Sequence, residues 1–262
     1  MLPLTNRRRG FYNKEKAKAA MLMKKAVFLV LCLLMVFCCA VPAFGAPGQT
    51  AFTTAAQLMD YVMVSKSYTT PVRIVPAELT VDGETRDVYL VALLGMKDVK
   101  GQVNSSRGGG TDAYRALVRT LLLAHVPQGA ALVFAGHSLG GMTAQLLRAD
   151  PVLKETYEIV NVLCGGSPLM DIDAEPEGTL HRLCDVLDLI PYIRSTSICA
   201  FVRQIRTAHR ESGGYFLNPD GAHNLSYARD DVWGSYDVFG QKGGTASIRF
   251  DAAKVQSFGD AA

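Results

Sequence analysis

Cysteine is scarce in this sequence. There are 6 in 262 residues, and Cys32, Cys38 and Cys39 fall inside one N-terminal apolar run. The other three, Cys164, Cys184 and Cys199, allow at most one internal disulfide, which excludes a disulfide-stapled scaffold. Cys164 and Cys184 sit in apolar, strand-like runs, where a free thiol behaves as a small core hydrophobe. No group of His, Cys, Asp and Glu has metal-ligand spacing, so no metal is expected. Internal repeats and low-complexity tracts are missing too, which excludes a solenoid. Basic charge is short where nucleic acid would need it. The formal net charge is +3, but residues 1–45 hold eight Lys/Arg and one acid, Glu15, leaving 19 basic and 23 acidic residues in the rest. A mildly acidic body excludes nucleic acid as a partner.

What is present begins with a leader. Lys24-Lys25 precede an uncharged apolar run, Ala26 to Val41, followed by Pro42-Ala43-Phe44-Gly45-Ala46. This is the layout of a secretory signal peptide, with cleavage after Ala43 or Gly45 and Met21 or Met23 as alternative starts. The expected location is secreted or extracytoplasmic. The competing reading is an uncleaved N-terminal membrane anchor, for which the run is short. A lipoprotein site is disfavoured because Cys38 and Cys39 lack the small residue required before the cysteine. Residues 46–262, with 49% apolar content in the whole chain, are enough for one sizeable core in a single domain.

Along that domain, Thr53 to Val64 has the apolar spacing of an amphipathic helix. Val72–Val75 and Ala77–Val81 read as strand, with a turn at Asp82-Gly83. Asp87 to Gly95 reads as a central strand, apolar from Val88. Residues 97–112 are polar and Gly-rich, a surface loop beside the site, and Thr111 or Asp112 caps a helix over Ala113–His125. Glu158–Cys164 is a further strand closed by Gly165-Gly166-Ser167-Pro168; residues 171–179 form an acidic loop; Leu180–Leu187 is the next strand. Residues 194–222 read as a cap over the pocket, and 244–256 as a last edge strand. Strands alternating with helices after residue 87 predict an α/β fold, a mostly parallel sheet flanked by helices.

The chain is organised around Ala131 to Arg148. An apolar strand, the turn Gly136-His137-Ser138-Leu139-Gly140-Gly141, and an amphipathic helix follow one another. This is the context of a nucleophile elbow, where a side chain at Gly136 or Gly140 would collide with the flanking helix or strand. Such a turn exposes the Ser138 hydroxyl and aims the first amides of the helix at it, so that they can hold an oxyanion.

A serine hydroxyl needs a histidine to take its proton and a carboxylate to orient that histidine. In this architecture the acid and then the histidine follow the serine along the chain, which excludes His125. His137 lies in the elbow with its side chain directed away from the serine. Asp188 stands where the strand Leu180–Leu187 ends, with Asp185, inside that strand, as the main rival and Asp171 and Asp173 after an earlier one. His181 opens a strand at the wrong end of the sheet, and His209, among Arg206, Arg210 and Glu211, has the setting of a solvated histidine. His223, in a turn leading into a helix, suits a loop-borne base. The oxyanion donors would be the backbone N–H groups of Leu139 and of Met96, the latter just after Gly95.

G-H-S-L-G-G, then Gly166-Ser167-Pro168, Asp188-Leu189-Ile190-Pro191, and His223 with Tyr227 four residues later, in that order, resemble the class 3 (fungal-lipase-like) lipases of the α/β-hydrolase superfamily over roughly residues 50–240. The resemblance implies hydrolysis of triacylglycerol or other carboxylic esters through an acyl-enzyme, no cofactor, a lid, and a lipid or small ester as substrate, met at a lipid–water interface. Met96 and Leu94 stand where that family usually has a hydroxyl residue and an arginine. An acyltransferase or a peptidase would use the same triad, and a catalytically dead binding protein would keep the same fold.

Overall fold

Two apolar stretches identified in the sequence lie side by side at the centre of the sheet. The computed structural model of the chain describes residues 48–63, 71–95, 110–172 and 174–259. The leader at 1–45, Met96, residues 97–109 of the Gly-rich loop and Asp173 lie outside the described residues. Residues Pro47–Ala262 form one compact unit.

In chain order the strands and helices are β1 Gln49–Phe52, α1 Ala55–Met63, β2 Val72–Val81, β3 Glu84–Leu93, α2 Gly110–His125, β4 Ala131–His137, α3 Leu139–Leu147, α4 Pro151–Thr156, β5 Glu158–Gly165 and β6 Thr179–Asp185. They continue with α5 Ile198–Arg206, β7 His209–Glu211, α6 Pro219–Asn224, α7 Asp230–Trp233, β8 Ser247–Asp251 and β9 Gln256–Phe258. The strands form one sheet in the order β1-β8-β2-β3-β4-β5-β6-β7, with β9 also paired to β2. From β3 to β7 every neighbour is parallel. The chain is therefore α/β, with a mostly parallel central sheet flanked by helices.

β3 and β4 occupy the middle because both their faces are apolar. Leu90 and Val133 point into one cluster with Leu58, Met59 and Trp233. Their chain neighbours Val91, Leu132 and Phe134 point into the other, with Val118, Leu122 and Leu147. Strands buried on both faces read as continuous apolar runs, and each such side chain contributes about 1.5–3 kcal/mol by leaving water.

The antiparallel edge differs from the expectation. Val72–Val75 and Ala77–Val81 are one strand, hairpinned to β3 through Asp82 and Gly83, both at positive φ (52° and 87°) as a two-residue hairpin turn requires. Pro76 is accommodated because β8 pairs with Ala77–Thr80 and β9 with Val72–Ile74, leaving a gap at its position. The C-terminal segment is two strands, and β8 is no edge: the four-residue β1 covers its far side. Residues 194–222 add β7 to the sheet and so form more than a cap. β6 ends at Asp185, earlier than the expected Leu187. α2 starts at Gly110, so Thr111 and Asp112 lie within its first turn.

Candidate active site

β4 runs straight into α3, and the single residue between them is Ser138. Its backbone is at φ 53°, ψ −117°, a sparsely populated conformation for a residue with a Cβ, of the kind that costs on the order of 1–3 kcal/mol. The neighbours make this turn possible. A Cβ on Gly140 would lie 2.1 Å from the Leu93 carbonyl oxygen of β3, and one on Gly136 would lie 2.6 Å from the backbone of Gly140. Both collisions are with backbone, so only glycine lets helix and strand approach this closely.

Asp188 and His223 arrive from other elements. Asp188 follows β6 by three residues, its N–H bonded to the Asp185 carbonyl and its Oδ1 accepting from Ile190 N–H at 2.9 Å. His223 sits on α6, a one-turn helix started by the Asn218 side chain, which accepts from Gly221 N–H, and by Pro219 at its first position. Oδ2 of Asp188 accepts from His223 Nδ1 at 2.9 Å, and His223 Nε2 is 3.0 Å from Ser138 Oγ. A carboxylate only accepts, so Nδ1 carries the proton and Nε2 is left to accept from the serine hydroxyl. All three side chains are buried, which corrects the exposed hydroxyl expected of the turn: Ser138 Oγ lies inside, against His223.

Four further residues surround this hydrogen-bonded chain, three of them without a role in the sequence reading. Tyr227 Oη donates to the same Asp188 Oδ2 at 2.7 Å and accepts from Asp185 N–H at 3.0 Å. Burial, then the facing Asp188, holds its phenol well above the ordinary value, so it stays a donor. Its spacing from His223 was the one sequence signal. His137 does turn from the serine, but toward His223, whose carbonyl its Nε2 reaches at 2.9 Å, with the rings 4.7 Å apart. Burial, and then the facing His223, pushes His137 down to about 3. Gly166, at φ +63°, packs against the acid–base pair: a Cβ there would lie 3.0 Å from both Asp188 Oδ2 and His223 Nδ1.

The fourth is Asp185, the rival acid. It ends β6 fully buried, and its carboxylate accepts from Leu187 N–H, Gly213 N–H and the Ser226 hydroxyl. It ties together the loops that carry Asp188 and His223 and bonds no imidazole.

The remaining candidates lie elsewhere. His125 ends α2 and packs on Phe258. His181, early in β6, faces His209, with Nδ1 and Nε2 3.4 Å apart and the rings stacked. His209 is thus half-buried against a second histidine and Tyr236, which corrects the solvated setting expected for it. Asp171 pairs with Arg203 at the surface. Cys164 and Cys184 are buried free thiols, both pushed up to about 12 by burial, and Cys199 is free and exposed.

Leu139 opens α3, where backbone N–H groups have no intrahelical acceptor. Met96 lies outside the described residues. Gly95 is in place, packed against the Ser138 Cβ. The arrangement can move a proton from a hydroxyl to an imidazole backed by a buried carboxylate. Comparison with models of known families, with characterised proteins and with solved structures returns no match.

Proposed function

We propose that this chain is a secreted serine hydrolase that cleaves carboxylic esters of lipids or acylglycerol-like molecules, related in design to the class 3 lipases its motifs resemble. One observation carries the reading: Ser138 Oγ, His223 and Asp188 form an unbroken hydrogen-bonded chain, with the serine in a strained strand-to-helix turn. Strain of this kind persists only where the surroundings over-determine it, and it clusters at reactive sites.

Each residue has a distinct task in such a reaction. His223 Nε2 takes the Ser138 proton as Oγ attacks the ester carbonyl. Negative charge then develops on the carbonyl oxygen, and the Leu139 N–H, one of the first amides of α3, would be a donor to it. The resulting imidazolium is held by Asp188, whose charge Tyr227 and Ile190 N–H orient. His223 returns the proton to the leaving alcohol and an acyl-serine forms. Water, deprotonated by the same imidazole, releases the acid and restores Ser138.

The test is fluorophosphonate labelling with the modified peptide located by mass spectrometry. An adduct on Ser138 that is absent from Ser138→Ala and His223→Ala supports an activated serine, and an ester panel graded by chain length would follow. A folded protein that leaves Ser138 unlabelled overturns the reading.

A further inference from the structure

The helix α5 has its polarity reversed. Its buried side chain is Gln204, whose Oε1 accepts from Leu169 N–H at 2.6 Å and from the buried Arg182 at 2.9 Å. Three of its four large apolar side chains face water: Ile198 is 83% exposed, and Phe201 and Val202 are exposed as well, while Ile205 is half-buried. A surface helix of a globular protein normally buries that stripe. The anchor is firm, because Arg182 also donates to the Gln204 carbonyl and to Thr207 Oγ1.

A second feature points the same way independently. Phe216 and Leu217 are the central residues of a turn closed by Asn218 N–H to the Tyr215 carbonyl. They are 79% and 87% exposed, and Leu217 is held at φ 59°. The other non-glycine residues at positive φ among those described are Asp82, in a hairpin turn, and Ser138. A leucine kept fully in water in a conformation that disfavours it gains nothing for folding. The base of this tip is fastened: Gly213 N–H bonds Asp185, and the Arg229 guanidinium lies over the Tyr215 ring.

The two features belong to one stretch of chain, the one that runs from Asp188 to His223. Leu189, exposed, directly follows Asp188, and Leu225, exposed, comes two residues after His223. The 2.9 Å bond between Asp188 and His223 therefore brings together the two ends of the stretch that carries both apolar features. Of ten exposed large apolar side chains among the described residues, eight fall between Val186 and Leu225. Charge follows the same pattern. Residues 189–225 carry Arg194, Arg203, Arg206 and Arg210 against Glu211 and Asp220, with Arg203 also paired to Asp171 from outside the stretch, on a chain whose residues 47–262 hold more acids than bases. A shallow depression of about 450 Å³ on α5 has Ile198 and Val202 in its lining, with Arg203 and Arg206.

We propose that the Phe216–Leu217 tip and the outer face of α5 together dock this protein on an anionic lipid surface, the side chains entering the acyl boundary and the arginines meeting headgroup phosphates. Exposed apolar side chains backed by arginines are the pattern of interfacial attachment, and the local excess of positive charge on an acidic body selects an anionic surface over a neutral one. Docking on this face would deliver lipid esters to the Ser138 site, but attachment does not depend on catalysis.

The experiment is vesicle sedimentation of residues 47–262, a unit that contains both core clusters, carrying Ser138→Ala so that the lipid is not consumed. Vesicles of phosphatidylglycerol and phosphatidylcholine are compared with phosphatidylcholine alone. Binding is expected on the anionic vesicles, about tenfold or more weaker for the pair Phe216→Ser with Leu217→Asn. Arg203→Ala with Arg206→Ala should lower only the anionic component, about fivefold per arginine, and added salt should mimic it. Asparagine accepts positive φ, so the tip variant should melt no lower than its parent, which separates lost docking from misfolding. Absence of binding to either vesicle, or binding unchanged in the tip variant, overturns the proposal. So does a concentration-dependent dimer abolished by the same two substitutions, which would make the face a self-association surface. Fluorophosphonate labelling of the wild-type chain reads the hydrolase assignment separately.

Discussion

Tyr227 Oη and His223 Nδ1 converge on the same oxygen of Asp188, at 2.7 and 2.9 Å. The tyrosine thus holds the carboxylate in line with the imidazole, while its own oxygen accepts from the Asp185 backbone. Tyr227→Phe keeps the ring packed on Trp233 but frees the carboxylate and strips a buried N–H of its acceptor. The expected outcome is a fall of about tenfold in kcat for a soluble short-chain ester with KM little changed, and a loss of about 1–3 kcal/mol in stability. Steady-state kinetics beside a denaturant titration check both; an unaltered kcat would remove Tyr227 from the positioning of Asp188.

The two buried aspartates of this region should separate cleanly. Asp188→Asn preserves shape but takes away the charge that fixes the His223 tautomer, so ester turnover should drop by roughly 10³–10⁴. Asp185→Asn puts an amide where three donors converge, and its first effect should be on stability, about 1–3 kcal/mol. Melting curves and turnover measured on both variants would show the opposite pattern if Asp185 were the acid.

Ser138 offers a test of strain. Ser138→Ala and Ser138→Gly both remove the hydroxyl, but only glycine relaxes a backbone at φ 53°. The glycine variant should be the more stable of the two by about 1 kcal/mol, even after its larger unfolded-state entropy. Equal melting temperatures would mean that the turn holds no such strain.

Acid should destabilise the fold through its buried histidines. Burial and the facing His223 push His137 from 6.5 to about 3. Below pH 6.5 the unfolded chain therefore binds a proton that the folded one refuses. Stability present at pH 7 is lost progressively as pH falls from about 6.5 toward 3, at up to about 1.4 kcal/mol per pH unit. His181 and His209, both lowered mainly by burial, act in the same direction. Urea midpoints between pH 7 and 5 should fall, and His137→Asn should flatten the slope by one histidine's share.

Much of the site could be read from local sequence because its parts are local devices. An elbow is a strand, a turn of small residues and a helix, all within eighteen residues, and the collisions that require Gly136 and Gly140 arise between adjacent elements. The order Ser138, Asp188, His223 could be read from where strands stop and loops begin. Choosing Asp188 over Asp185 rested on a strand boundary, and the boundary lay two residues earlier than expected. Asp188 is nonetheless the one that bonds the imidazole, because a carboxylate at the end of a buried strand finds backbone N–H partners, while one in the next turn is free to face the ring.

Other features have no local signature. β1 and β9 are four and three residues long, too short for periodicity to register, and they exist as strands because β8 and β2 offer them hydrogen bonds from far along the chain. The His181–His209 stack depends on β6 and β7 becoming neighbours. α5 shows the limit most plainly. Its apolar spacing is legible, but which face turns inward is set by Arg182, 22 residues from Gln204, which needs buried acceptors for its guanidinium and takes them from Gln204. Local pattern thus determines where elements lie and which residues stand at their ends, since those follow from the chain's own sterics and hydrophobicity. The direction in which a face points, and which carboxylate meets which ring, depends on partners distant in sequence, and only packing brings those together.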